Sequence, residues 1–176
     1  MSLMNGVVVG LVTNVSDPKK NGNVKVHFPW LDDQHESDWI RIATTMSGNG
    51  RGTFFMPEVN DEVLVAFEHG DARFPYIVGF LWNGKDAAPE TNVNKRTIKS
   101  KKGHTVVLDD GDDSEKVTVK SSSGHQIVLD DTGAGKTVTI QTAGSLAVVL
   151  DDKDSSIEMR GGGRKIAMRG GIVQVT

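Results

Sequence analysis

Apolar and polar residues alternate along the second half of the chain, and the alternation repeats. Residues 103–110 (GHTVVLDD) recur as residues 124–131 (GHQIVLDD) and, less closely, as residues 144–152 (GSLAVVLDD). The Leu-Asp-Asp element begins at positions 108, 129 and 150, which gives a period of 21 residues. A fixed period of this size indicates stacked units, none of which can bury its apolar face alone.

Each repeat contains a second alternating segment. In the first two repeats it begins nine residues after the leucine, at Val117 and Val138, and in the third it begins after seven, at Ile157. Period-2 alternation predicts β-strands with one apolar face, and the Asp, Gly and Ser clusters between them predict turns. The residues predicted to share the apolar face are His104, Val106, Leu108, Val117, Val119, His125, Ile127, Leu129, Val138, Ile140, Leu146, Val148 and Leu150.

A single chain with so few strands would leave this apolar face exposed and its sheet edges open. Three parallel chains around one axis would bury the face, so we predict an intertwined trimeric β-helix or β-prism over residues 99–176. Leu108, Leu129 and Leu150 would stack in the trimer core. About eight strand steps predict a shaft on the order of 40 Å long. The glycine-rich sequence beyond Arg160 predicts short strands and a narrowing end.

The first half carries five short strand-like segments between turn sequences, at residues 7–12, 23–28, 39–44, 62–67 and 75–82. This spacing predicts a five-stranded barrel of the oligonucleotide/oligosaccharide-binding (OB) type over residues 1–86. Residues 45–60 are too rich in glycine for a helix, so we predict a loop, and Gly79 predicts a bend or bulge. Residues 87–98 are predicted as a linker with a short strand near its end. The predicted fold class is therefore all-β.

Composition restricts the possible functions. The formal net charge is −3, from 20 Lys and Arg against 23 Asp and Glu, which gives no basic footprint for nucleic acid. The absence of cysteine excludes disulfides and thiolate metal sites. No run reaches the roughly 18 apolar residues of a membrane span, and the first residues do not have the pattern of a secretory signal. We expect Met4 to be the native start, after a short vector remnant.

Several residues could suggest chemistry, but each has a simpler interpretation. The Asp pairs that begin at 109, 130 and 151 fit turns, because adjacent strand residues point to opposite faces and cannot share a site. His104 and His125 could gather a metal on a threefold axis, but pairing with backbone or water is favoured. Residues 133–137 (GAGKT) lack a glycine that a phosphate loop requires. We therefore predict no catalytic, cofactor-binding or metal-binding residue.

Segments of the first half resemble the barrel domain of contractile-tail spike proteins. These segments are residues 10–12 (GLV), 17–18 (DP), 22–26 (GNVKV), 28–31 (FPWL), 39–43 (WIRIA), 56–65 (MPEVNDEVLV) and 75–79 (PYIVG). The family includes phage baseplate assembly protein V, the VgrG proteins of type VI secretion and the spikes of extracellular injection systems. The repeat at 103–110 resembles the start of the VgrG shaft. Asn23 and Asn60 depart from the family pattern, where a basic residue and a glycine are expected.

The resemblance implies a non-enzymatic, membrane-piercing central spike. Its expected partners are two further copies of itself, a separate baseplate hub protein at the barrel end, a PAAR-like tip protein at the C-terminal end and the target cell envelope, without nucleic acid or cofactors. Assembly is expected in the bacterial cytoplasm, within a baseplate that is later part of a virion or a secreted or extracellular particle. The lysozyme domain and the His-x-His iron site of some relatives are not expected.

Two alternatives remain open at this point. One is a trimeric OB-fold module that binds single-stranded nucleic acid or glycan, with Trp30, Trp39 and Trp82 as a stacking platform. The other is a solenoid enzyme that acts on polysaccharide.

Overall fold

A computed structural model describes residue 4, residues 6–31 and residues 36–176. The chain divides into two compact units, Met1–Ala87 and Ala88–Thr176, which are described separately below. Both are built from strands, and the described residues contain one 3₁₀ turn, Glu68–Gly70. Within the described ranges, no helix is long and apolar enough to cross a membrane.

The described residues of the first unit form seven strands, two of which pair only with each other. Its strands are β1 Val7–Asn14, β2 Lys25–His27, β3 Arg41–Ile42, β4 Ser47–Gly48, β5 Arg51–Gly52, β6 Glu62–Phe67 and β7 Pro75–Leu81. The main sheet has the order β2-β1-β6-β7-β3, and β3 runs parallel to β7. An antiparallel bridge between Val24 and Ile40, with N···O distances of 3.1 and 2.8 Å, joins the two ends of the sheet. This closure confirms the predicted five-stranded OB-type barrel.

The barrel core comes from the alternating positions that the sequence indicates. Its fully buried side chains are Val12, Val24, Val26, Ile40, Val63, Val65 and Ile77. Gly10 lets β1 and β2 approach closely, because a Cβ atom there would lie 2.3 Å from Cγ1 of Val26. The barrel core is therefore packed by valine and isoleucine, and the close approach of β1 to β2 depends on Gly10.

The loops and irregularities of the barrel agree in most respects with what their sequences predict. Residues 45–60 contain no helix, as predicted, but they include the β4–β5 hairpin. The predicted irregularity at Gly79 is a bulge, since Leu64 pairs with Gly79 and Val65 with Ile77, which leaves Val78 without a partner across β6. In the β1–β2 turn, burial alone would raise the pKa of Asp17, but backbone hydrogen bonds from Lys19, Asn21 and Asn23 outweigh it and lower the pKa.

The second unit is one antiparallel sheet in which each strand pairs with its sequence neighbours. Its strands are β8 Lys95–Lys99, β9 Thr105–Asp109, β10 Lys116–Lys120, β11 Gln126–Asp130, β12 Thr137–Gln141, β13 Ala147–Asp151, β14 Ser156–Gly161, β15 Arg164–Arg169 and β16 Ile172–Val175. Strand β8 begins at Lys95, so the sheet takes in the end of the segment predicted as a linker, 87–98. Nine strands give eight spacings, or about 38 Å across the sheet.

Each 21-residue repeat is a pair of strands in this sheet. The connections at 110–115 and 131–136 have six residues, whereas the third, 152–155, has four. Removal of two residues preserves strand parity, so Ile157 stays on the apolar face opposite Leu150.

Beyond Arg160 the connections shorten, and the two strands differ. Strand β15 has six residues, which corrects the expectation of short strands there, whereas β16 has four and meets it. Two glycine pairs, Gly162-Gly163 and Gly170-Gly171, form the last turns with positive φ at every position, as tight two-residue hairpins require.

Candidate assembly surface

Two rows of apolar side chains cross one face of the sheet. Cross-strand pairing places directly neighbouring residues in the same row, one residue from each strand, except that the β8 position of the first row holds Arg96. The first row is Leu108, Val117, Leu129, Val138, Leu150, Ile157, Met168 and Val173. The second is Ile98, Val106, Val119, Ile127, Ile140, Val148, Met159, Ile166 and Val175. We call these two rows the apolar face.

In the single chain the apolar face is open to solvent. All its members except Val106 and Val148 expose between 36% and 73% of their surface. A concavity of about 540 Å³ lies on the same unit, lined by residues that include Ile140, Leu146 and Met159. A contiguous apolar surface of this extent is unusual for a monomer in water and indicates a surface that another molecule covers.

The structure brings the predicted core residues together in these rows or beside them. His104, His125 and Leu146 lie just before the strands, with the same parity as the rows. The Ser122 amide donates to Nδ1 of His104 at 3.2 Å, and the Ala143 amide donates to Nδ1 of His125 at 3.2 Å. Each histidine therefore connects one repeat to the turn of the next. The inward orientation of these residues in a trimer remains a prediction.

The residues of the apolar face in β14 to β16 were not predicted from the sequence. Ile157, Met159, Ile166, Met168, Val173 and Val175 continue both rows but were not among the predicted core residues. They lie beyond the last Leu-Asp-Asp element, so the 21-residue period does not mark them. Their period-2 alternation persists, and this is the signal that would have identified them.

The opposite face is mixed and carries ion pairs. Lys95 Nζ lies 3.5 Å from Asp109, and Lys116 Nζ lies 3.3 Å from Asp130. Hydrogen bonds from Thr132, supported by Lys116, lower the pKa of Asp130, and those from Arg160 and Lys165 lower the pKa of Glu158. Burial alone would raise the pKa of Asp109, but bonds from Gly111, Ser114 and Lys95 outweigh it and lower the pKa. This face combines ion pairs with two residues that are buried in the single chain, Ser156 and Ala167.

The barrel unit exposes aromatic side chains of its own. Phe54, Phe55 and Phe80 line a groove of about 830 Å³ together with Lys20 and Thr44. Phe54 is 77% exposed and Trp82 is 70% exposed.

The three tryptophans have separate surroundings. Trp30 lies against Phe28, Trp39 lies under Lys25 and Trp82 is exposed, and no contact between two tryptophan rings occurs in the described residues. They do not form the stacking platform that one alternative requires.

The acidic and histidine side chains of the described residues were candidates for a metal site. Within those ranges, no three His, Asp or Glu side chains lie close enough to hold a metal ion. His69 and Asp71 flank the turn before β7, where the side chain of Arg73 binds Asp71 and lowers its pKa to about 2. The distinctive features of the chain are thus a closed barrel and a sheet with one exposed apolar face.

Residues 8–82 match the type VI secretion system/phage-baseplate injector OB domain family. The first unit is an injector OB domain. The match covers less than half of the chain and lies within the first unit, which is therefore similar to the OB domains of phage-baseplate and VgrG-type spike proteins. The matched residues cover all five barrel strands, so the comparison and the geometry agree on the same unit.

Similar proteins include spike proteins of two bacteria. The chain is 38% identical over 72 residues to the type VI secretion system spike protein VgrG3 of Vibrio cholerae, which covers 39% of this chain and 7% of that protein. It is 35% identical over 87 residues to the spike protein VgrG1a of Pseudomonas aeruginosa, which covers 46% of this chain and 14% of that protein. The actin cross-linking toxin VgrG1 of Vibrio cholerae is 30% identical over 82 residues, which covers 44% of this chain and 8% of that protein. The matched segments are thus a small part of these relatives.

Proposed function

We propose that this protein is the structural central spike of a phage tail or contractile injection system and acts as a homotrimer. The observation that carries the proposal is the apolar face, which follows an injector OB domain in the same chain. Three sheets with this face turned inward would form a three-sided prism with a dry core. Burial of the rows from Leu108 to Val175 would stabilise the assembly in proportion to the apolar area removed from water.

The proposed mechanism is mechanical stiffness along the prism. Interior strands β9 to β15 use their backbone donors and acceptors on neighbours within the same chain. In this proposal the stiffness would come from hydrogen-bonded ladders within each chain. Contacts between chains would be made by side chains, while the ladders resist bending when the spike pierces an envelope.

The two ends of the spike have different proposed partners. Strand β16 is the last strand of the sheet, and Ile172, Val173 and Val175 are largely exposed. Edge strands with apolar side chains are seldom left uncovered, which supports a small tip protein at this end. The exposed aromatic groove at Phe54, Phe55 and Phe80 supports a partner for the barrel, for which we propose a baseplate hub protein.

A role in binding single-stranded nucleic acid or glycan is the second candidate. The groove with Phe54 and Phe55 beside Lys20 favours it, because aromatic rings beside a cation can stack on bases or sugars. The net charge of −3 weighs against nucleic acid. Titration with a labelled single-stranded oligonucleotide at low salt separates the candidates, since a spike shows no saturable binding and a binding module does.

The direct test of the spike proposal is the mass of the protein in solution. Light scattering after size exclusion should give a trimer, three times 19.0 kDa or about 57 kDa. A monomer of 19.0 kDa at micromolar concentration would contradict the proposal.

A further inference from the structure

Charge is segregated between the two lateral edges of the nine-stranded sheet. One edge holds the connections 110–115, 131–136 and 152–155, and we call it the acidic edge together with the strand ends beside it. The other holds the connections 100–104, 121–125 and 142–146. Together with the adjoining strand ends, we call it the basic edge. Because the strands alternate in direction, every second connection lies on the same edge.

The acidic edge has more carboxylates than cations. Its carboxylates are Asp109, Asp110, Asp112, Asp113, Glu115, Asp130, Asp131, Asp151, Asp152 and Asp154, and its cations are Lys95, Arg96, Lys116, Lys136, Lys153 and Arg169. The basic edge carries Lys99, Lys101, Lys102, Lys120, Arg160, Arg164 and Lys165 and contains no Asp or Glu. The two edges of one sheet therefore have opposite net charge.

Several charged side chains near the start of the sheet form no ion pair within the chain, although Lys95 and Arg96 of β8 do. In the described structure, Asp112, Asp113 and Glu115 on the acidic edge form no ion pair within 4.0 Å. Lys102 and Lys120 on the basic edge are likewise without a carboxylate partner. Asp112, Asp113 and Glu115 lie in the connection between β9 and β10. Lys102 lies in the connection between β8 and β9, and Lys120 is the last residue of β10. The two unpaired groups thus lie at the same level of the sheet.

A cyclic assembly brings these two edges together by symmetry. When identical sheets surround a threefold axis with their apolar faces inward, each corner joins one lateral edge of a chain to the opposite edge of its neighbour. Parallel chains in register would place Asp112 and Glu115 of one chain beside Lys102 and Lys120 of the next. An antiparallel face-to-face pair would instead place acidic edge against acidic edge.

We propose that contact between the acidic edge of one chain and the basic edge of the next selects the parallel, in-register trimer. This inference rests on the proposed trimeric spike and adds to it the determinant of chain orientation. The apolar face supplies most of the burial but cannot distinguish chain directions, since its rows are uniformly apolar. Complementary charges give orientation and exclude wrong partners more than they add affinity.

Charge reversal at exposed edge positions of the full chain tests the inference. One variant carries Asp112→Lys with Glu115→Lys, and a second carries Lys102→Glu with Lys120→Glu. A third carries all four substitutions, so that the charges at positions 102, 112, 115 and 120 are exchanged and these four positions are again complementary. Lys102→Arg with Lys120→Arg is the matched control, because it changes the side chains and keeps the charge. Each protein is studied by sedimentation velocity and thermal melting at low and high salt.

The inference predicts that each two-residue variant loses trimer at low salt and regains it at high salt, while the control assembles like the parent. The four-residue variant should recover the parent's trimer fraction and melting temperature. When mixed and refolded with a tagged parent, it should not co-purify, since its edges repel those of the parent.

Two different failures are distinguishable in this experiment. If the parent itself sediments as a monomer, the proposed trimeric spike is wrong, and this inference with it. If the parent is a trimer but the two-residue variants assemble equally well at low salt, or the exchanged variant gives no recovery, the spike proposal stands and the edge inference is overturned.

Discussion

Leu129 of β11 is paired directly with Val138 of β12, and both side chains remain more than one-third exposed in the single chain. A cross-strand pair of this kind normally lies on the buried face of a sheet. Here the pair belongs to the first apolar row, which extends from β9 to β16 and is not covered by any other part of the same sheet. In the proposed trimer, the other two chains would cover this apolar face.

A charge on the apolar face should prevent assembly. Leu129→Asp would place three carboxylates near the proposed axis, where burial of unpaired charge is very costly. We expect no soluble trimer by light scattering. Thr139→Asp is the control, because it adds the same group to the opposite face, where Glu158 already occupies the same cross-strand row through Val149. Normal assembly of Leu129→Asp would show that Leu129 does not face the axis.

The barrel alone should not form a trimer. A protein ending at Ala87 retains the complete first unit and its buried core. We expect it to fold as a monomer, with a cooperative thermal transition by circular dichroism. A stable trimer of this fragment in sedimentation velocity would place the assembly determinant in the OB domain instead of the sheet.

Gly10→Ala should destabilise the barrel by about 1–3 kcal/mol, the usual range for overpacking. The added Cβ atom would lie 2.3 Å from Cγ1 of Val26 and 3.3 Å from the His27 carbonyl oxygen, so β1 and β2 must separate. Gly79→Ala is the matched control, because a Cβ atom added at Gly79 would meet no other atom within 4 Å. Urea unfolding of the fragment ending at Ala87 measures both changes, and equal stability of the two variants would contradict the close approach at Gly10.

The sheet should lose stability in acid. The pKa values of Asp130 and Glu158 are lowered in the folded chain, so both groups bind protons more weakly folded than unfolded. Their contribution is therefore fully present above the unfolded values near pH 4 and is lost as the pH falls through the folded values. We expect the melting temperature of the full chain to fall below about pH 4. Asp130→Asn should have a lower melting temperature at pH 7 and a smaller change between pH 7 and pH 3.

Much of this fold could be predicted because the decisive signals are local. Period-2 alternation at Val24 and Val26 identified a barrel strand, and the repeated Leu-Asp-Asp element located β9, β11 and β13. The β4–β5 hairpin was not predicted, since two-residue strands carry no periodicity. The upper rows were missed where the repeat period ends although the alternation continues at Ile166 and Met168.

The charged edges illustrate a different limit of sequence interpretation. The Asp pairs were interpreted as turn residues, but the first Asp of each pair ends a strand and only the second lies in a connection. The charge that they give to an edge depends on which connections share that edge. That relationship requires the strand order, which places residues 110–115 and 131–136 together and residues 100–104 and 121–125 opposite them. Lysine positions such as Lys102 and Lys120 carry no motif and become informative only in the folded sheet.

The central claim is that the apolar face is covered in the native protein. The most direct test of this claim is the reactivity of a single thiol introduced on each face of the sheet, since the chain has no cysteine. In the single chain Leu129 is the more exposed position and Thr139 is half-buried. In the proposed trimer Leu129→Cys lies in the core and Thr139→Cys on the outside. The account predicts that maleimide labels Thr139→Cys rapidly and Leu129→Cys slowly in the native protein, with equal rates after unfolding. Faster labelling of Leu129→Cys in the native protein would contradict it.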